Sequence, residues 1–316
     1  MKKKLIYVAS CLDTGGVYVY ETDGITAEQK QFFPMPKPMY LAKEENKLFV
    51  VLRDPEGKDE SALCIYSLSD EGLIEKELSR TSTLGKVGCH LAVTDEGVFV
   101  PNYTSGSVFR TPDLLVTHQG KGAHPTRQSA PHTHATVPTP DGKYICVTDL
   151  GTDMVTIYNK SLTAVSRVSV PSGYGPRHAI FSPCGKKMYC LCELTGHVCT
   201  FSYEDGMLTL LSSTPSLPSD FKGESIAAAI RLKDGYLYTS HRGHDSIAVL
   251  DATQDEPRLL THVPCGGRNP RDFNLFDDLM IITNEGSDNV TFFRLNDGIP
   301  EALSLSLCIP SPLCVI

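Results

Sequence analysis

The chain has 316 residues, of which 41% are hydrophobic, and a formal net charge of −8. That length admits two average domains or one large repeat domain, and that apolar content excludes a disordered chain. The acidic balance speaks against a nucleic-acid partner, which needs a basic face, but leaves room for a small anion held by a few arginines in a cleft.

The opening Met1-Lys2-Lys3-Lys4, followed by Leu5-Ile6-Tyr7-Val8-Ala9-Ser10-Cys11, imitates a secretory leader. Its apolar run is at the short end of the roughly 7–15 residues of a signal core. It also matches a unit that recurs along the chain, so it reads as a strand. That unit is a turn, an alternating apolar strand, a loop rich in Gly, Asn and Asp, and a second alternating strand. Leu5-Ile6-Tyr7-Val8 with Val17-Tyr18-Val19-Tyr20 is the first copy, and Leu48-Phe49-Val50-Val51 with Cys64-Ile65-Tyr66 the second. Val98-Phe99-Val100 with Val108-Phe109, and Tyr144-Ile145-Cys146-Val147 with Val155-Thr156-Ile157-Tyr158, are the third and fourth. Met188-Tyr189-Cys190-Leu191 with Val198-Cys199-Thr200-Phe201 is the fifth, Tyr236-Leu237-Tyr238 with Ile247-Ala248-Val249-Leu250 the sixth, and Met280-Ile281-Ile282 with Val290-Thr291-Phe292-Phe293 the seventh.

The turns before these strands fall at Lys3, Asn46, Gly97, Gly142, Gly185, Gly235 and Asp278, spaced by 43 to 51 residues. Short strands at such a period, with helical periodicity almost absent, are the signature of a propeller blade. The longer units carry extra loop at 54–61 and 212–223. The first unit lacks an innermost strand, and the C-terminal Ser311-Pro312-Leu313-Cys314-Val315-Ile316 has no partner in its own unit. The expected fold is therefore all-β: one seven-bladed β-propeller over 1–316, its ring closed by the C-terminal strand completing the first blade. No stretch approaches the roughly 20 apolar residues of a membrane span, so no membrane partner and a cytoplasmic location are expected. The 11 cysteines include Cys146, Cys190, Cys192 and Cys199 inside alternating apolar runs, with no Cys-x-x-Cys pair. They read as reduced packing residues.

Chemistry-bearing residues recur where several units begin: His90, His132 and His134, Arg177 and His178, and Arg271. In a propeller these positions line the central channel and converge although distant in sequence. Glu193 and Arg242 follow second strands, at places that look comparable to Asn102, Asp149 and Asn284. A histidine suits proton transfer near neutrality, and an arginine supplies fixed charge to an oxyanion, carboxylate or phosphate. Glu193 reads either as a base or as an orienting group. His132-Thr133-His134 also has a metal-ligand spacing, but no carboxylate stands beside it, so no metal is expected. Asp149 and Asp153 read as turn chemistry.

The runs Gly120-Lys121-Gly122 through Arg127-Gln128, Pro131-His132-Thr133-His134, Asp149-Leu150-Gly151-Thr152-Asp153, Gly173-Tyr174-Gly175-Pro176-Arg177-His178, Glu193, Ser240-His241-Arg242-Gly243 and Pro270-Arg271-Asp272-Phe273 give the chain a likeness. It resembles the seven-bladed lactonases, which comprise propeller-type 6-phosphogluconolactonases and carboxymuconate cyclases. The resemblance spans essentially the whole chain and is most specific from Gly120 to Glu193. It implies lactone chemistry without metal or cofactor. His134, Arg177, Glu193 and Arg242 are the positions it implies as catalytic, with His134 or Glu193 activating water and the two arginines holding the carbonyl and the substrate anion. His90, His132, Asn102, His178 and Arg271 are further expected substrate contacts. His178, on the strand face opposite Arg177, is equally readable as packing. The expected reaction is hydrolysis of a sugar-acid lactone, with 6-phosphogluconolactone first. The rivals are a cycloisomerase acting on a dicarboxylate such as carboxymuconate, and a propeller that binds a partner without catalysis. The expected partner is a small anionic lactone or dicarboxylate, bound by a monomer or homodimer.

Overall fold

The computed structural model describes residues 3–55 and 57–316. Met1 and Lys2 of the leader-like opening, and Glu56 of the extra loop in the second unit, lie outside the described residues. The chain forms seven four-stranded antiparallel sheets arranged as the blades of a propeller. Six blades are continuous in sequence. The first is assembled from both ends: Pro312–Val315 is its innermost strand, followed outward by Lys4–Ser10, Gly16–Thr22 and Ala27–Pro34. Tyr7 and Ile316 exchange backbone hydrogen bonds of 2.8 and 3.0 Å across this seam. The seam pairs strand edges that would otherwise be open to other chains. Among the described residues one three-residue 3-10 turn, Glu285–Ser287, is the helical content, and no described helix is long and apolar enough to cross a membrane.

The blades pack through their faces. In Lys187–Cys192, the side chains of Met188, Cys190 and Cys192 enter the core shared with blade four, while Tyr189 and Leu191 enter the core shared with blade six. The period of two sends alternate residues to opposite faces, and both faces are covered, so the strand reads as an almost unbroken apolar run. The same holds around the ring. Seven apolar clusters fill the seven wedges between neighbouring blades, that between blades seven and one included. Each fully buried Leu, Val or Phe there contributes about 1.5–3 kcal/mol, so ring closure adds a whole wedge of core. Outer strands such as Ala164–Ser169 alternate exposed and half-buried residues at the rim. In the fifth unit the extra loop begins later than expected: Ser212 to Pro215 extend the outer strand Met207–Pro215, and the excursion starts at Ser216.

One backbone feature repeats in every blade and places the functional groups. In blade five, Pro176 pairs with Cys192 and the next paired residue is His178, opposite Leu191. Arg177 is left over as a bulge. Equivalent one-residue shifts occur at Met39, His134, Arg271 and Leu313, and between Ala227 and Ile230. In blade three the Gly88–Asn102 bridge and the Ala92–Phe99 pair differ by the same single residue. Such bulges re-aim a side chain out of the ladder, here at one mouth of the channel.

Candidate active site

Two sets of side chains meet at that mouth. The bulges supply His134, Arg177 and Arg271, with Met39 and Cys89 beside them. In four blades the second strand supplies the residue that follows the one paired just ahead of the bulge: Arg53 after Leu52, Tyr103 after Asn102, Glu193 after Cys192, and Arg242 after His241. Arg127 arrives separately, from the long connection between Leu114–Thr117 and Thr133–Pro138. Together they line a cavity of about 280 Å³ holding five arginines: Arg53, Arg127, Arg177, Arg242 and Arg271. A protein of net charge −8 thus concentrates positive charge where a small anion would enter.

Glu193 is the hub. Its Oε2 accepts from Arg177 Nε at 2.8 Å and lies 3.1 Å from Arg242 Nη2, and its Oε1 pairs with Arg127. Its backbone is pinned on both sides, by its N–H donating to Gly175 O at 2.7 Å and its carbonyl accepting from Ala227 N at 3.0 Å. Gly175 has φ +67, and a Cβ there would stand 2.8 Å from Leu194, so this turn needs glycine. Arg177 also donates to Ala228 O at 2.5 Å, Arg242 to Ile226 O and Ala227 O at 3.2 Å each, and Arg127 to Tyr103 Oη at 3.3 Å. Among the described residues Arg271 reaches only Glu285, at 3.4 Å, in its own blade.

Burial alone would raise the Glu193 pKa. The charges of Arg242 and Arg177, and then of Arg127, outweigh it and hold the carboxyl well below the usual range. Burial, reinforced by the Arg242 charge, lowers Arg177 to about 10, so it is still a cation at neutral pH. Burial and then the Arg177 charge hold the His134 imidazole well below its ordinary value, so it is neutral at pH 7. His134 Nδ1 lies 3.8 Å from Cys89 Sγ, and that thiol reaches the His134 carbonyl at 3.3 Å.

The cavity brings together His134, Arg177, Glu193, Arg242 and Arg271 from the sequence reading. Four other expected substrate contacts lie elsewhere. Asn102 is fully buried and spends its amide on Thr83 and Ser107, holding the blade together. The residues that follow it, Tyr103 and Thr104, line the cavity instead. The sequence comparison aligned Asn102 with Glu193, one residue out of register, and a one-residue slip on a strand turns a side chain to the other face. His132 stacks on Tyr103 with ring centroids 4.4 Å apart and sets Nδ1 2.9 Å from Tyr103 O. It supports the wall from behind. His90 and His178 form a layer deeper in the channel, 5.3 Å from each other, with His178 also 5.3 Å from His134. Tyr40 and the Arg231–Asp272 pair share that layer. The bulge explains His178: it follows the extra residue and returns to the ladder. Asp149 and Asp153 cap backbone N–H groups of His132, Gly151, Gly173 and Gly175. Arg53, Arg127, Tyr103 and Cys89 are not among the expected site residues, although Asn102-Tyr103 with Gly106-Ser107-Val108 also fits the family likeness. Arg127 stood inside a quoted motif, but only the fold shows that its connection bends back over Glu193.

The sequence profile of the family described as "Lactonase, 7-bladed beta-propeller" matches residues 5–316. The chain belongs to this family. A 6-phosphogluconolactonase of Bacillus subtilis is 30% identical to this lactonase-family chain, over 100% of it and 98% of the relative. A crystal structure of a Lactobacillus plantarum protein superposes with a TM-score of 0.91 at 27% identity, covering 99% of each chain. The periplasmic gluconolactonase of Pseudomonas aeruginosa superposes at 0.90 with 26% identity, over 100% of this chain and 99% of that one.

Proposed function

We propose that this lactonase-family protein hydrolyses a sugar-acid lactone, with 6-phosphogluconolactone the leading substrate, yielding 6-phosphogluconate in the cytoplasm. One observation carries the reading: the imidazole of His134 stands at a cavity with five arginines, while the only carboxylate among its described lining residues is engaged by three of those arginines. His134 is then the base and Glu193 the clamp. On this reading Cys89 gives its thiol proton to the His134 carbonyl, the shorter of its two contacts with that residue, and accepts from Nδ1–H, which leaves Nε2 as the proton acceptor.

His134 removes a proton from water as its oxygen bonds to the lactone carbonyl carbon. Arg177 and Arg242, pre-oriented by Glu193, stabilise the oxyanion. The oxyanion collapses, the bond from the carbonyl carbon to the ring oxygen breaks, and the imidazolium returns its proton to that oxygen. The nascent acid ionises and leaves as a carboxylate. Arg53 and Arg271, less saturated than the Glu193 partners, are the residues this reading assigns to the substrate phosphate.

The test is to follow loss of 6-phosphogluconolactone above its spontaneous hydrolysis, with gluconolactone and carboxymuconate alongside. Acceleration of the first, weakened in KM by Arg271→Ala, supports the reading. Turnover of carboxymuconate alone makes the protein a cycloisomerase, and no turnover of any by folded protein makes it a binding propeller.

A further inference from the structure

A second cavity, of about 650 Å³, adjoins the first, and Arg127 is in the wall of both. One side is formed by Leu194, Thr195 and His197, immediately after Glu193. The other is the excursion between Met207–Pro215 and Ile226–Lys233, which presents Leu217, Phe221 and Ser225. His124, from the connection that carries Arg127, completes the wall.

The chemistry of this wall differs from that of its neighbour. It mixes apolar faces with hydroxyls, imidazoles and the Glu224 carboxylate, and among the described residues its only guanidinium or ammonium group is the shared Arg127. A purely aliphatic guest would displace water from these polar side chains without replacing its hydrogen bonds. A second anion would find the charge concentrated next door instead. A pyranose fits both demands, because its C–H faces pack on aliphatic and aromatic side chains while its hydroxyls reach polar ones. A cavity of 280 Å³ suits a single lactone ring with its substituents, so a larger adjoining space has no role in binding gluconolactone itself.

We propose that the second cavity is a subsite for a sugar residue glycosidically attached to the lactone, so that disaccharide-derived aldonolactones are substrates. The inference rests on the lactonase reading for its reaction but not for its binding site. The test measures hydrolysis of gluconolactone and maltobionolactone above background, and separately the calorimetric binding of maltobionate, the open acid. The expected result is a KM for maltobionolactone at least tenfold below that for gluconolactone. Phe221→Ala raises the maltobionolactone KM and the maltobionate Kd about tenfold and moves gluconolactone kinetics less than twofold. Leu217→Ala gives the same split if Phe221→Ala does not fold. Hydrolysis of gluconolactone without maltobionate binding overturns the subsite and leaves the lactonase reading standing. Maltobionate binding that Phe221→Ala weakens, without hydrolysis of any lactone, overturns the lactonase reading and leaves the subsite standing. Absence of maltobionate binding overturns the subsite whatever happens to the lactones.

Discussion

Replacing Glu193 by Gln keeps the shape of the hub and removes its charge. Three guanidinium groups, those of Arg127, Arg177 and Arg242, then face a neutral amide whose NH2 end offers donors to donors. Arg177 and Glu193 are each almost fully shielded, at 3% and 4% side-chain exposure, so solvent does not screen the loss there. Removing one member of a buried pair costs about 3–5 kcal/mol, mostly from the charge left behind. Arg127 is one-third exposed and adds little, so the expected loss remains in that range. Urea unfolding followed by far-UV circular dichroism reads it as a drop in midpoint at unchanged slope. Turnover falls as well, because Arg177 and Arg242 lose the group that aims them. The charge of Glu193 raises the His134 pKa, so its removal shifts the acid limb of the rate profile to still lower pH. A variant within 1 kcal/mol of wild type that had lost all turnover would refute the clamp and make Glu193 the base.

His134→Gln should lower kcat by about 10²–10⁴, the usual worth of a general base, with stability little changed, checked by initial rates and the urea midpoint. Arg177→Ala should cost about 10²–10³ in kcat as an oxyanion donor; undiminished turnover would remove it from the site. Asn102→Ala should leave kcat and KM within twofold while costing about 1–3 kcal/mol, because it strands Thr83 and Ser107 partners in the blade. Burial lowers the pKa of His90 and of His241 to about 3 each, and those of His134 and His178 well below the ordinary value. Folding depresses these values, so the contribution of the neutral imidazoles is fully present above about pH 6.5 and is lost as pH falls, by up to about 1.4 kcal/mol per pH unit for each group. Urea midpoints at pH 7, 6 and 5 should therefore decline progressively, and a flat series would refute the buried-neutral assignment.

The repeat was legible because a blade is a local pattern. Alternation in Lys187–Cys192 and its counterparts is set by the two-residue period and by burial on both faces, and the unpaired C-terminal strand pointed to closure of the first blade. His134, Arg177 and Arg271 were legible because charge stands where other blades place Met39 or Leu313. The register was not. The same one-residue bulge in each inner strand decides that Arg177 enters the cavity while His178 rejoins the ladder, and the matching offset puts Tyr103, not Asn102, beside Glu193. Neither carries a marker in the local sequence, because the bulge is fixed by pairing with a strand several residues away.

The sequence by itself determined the number of blades, their apolar faces and which blades carry charge, since each follows from periodicity within some tens of residues. Only the tertiary structure decided that Arg127 crosses to Glu193, that His90 and His178 lie a layer below, and that a second cavity opens beside the first. Those facts depend on how segments distant in sequence are brought together by ring closure and bulge geometry, and no local preference encodes that distance.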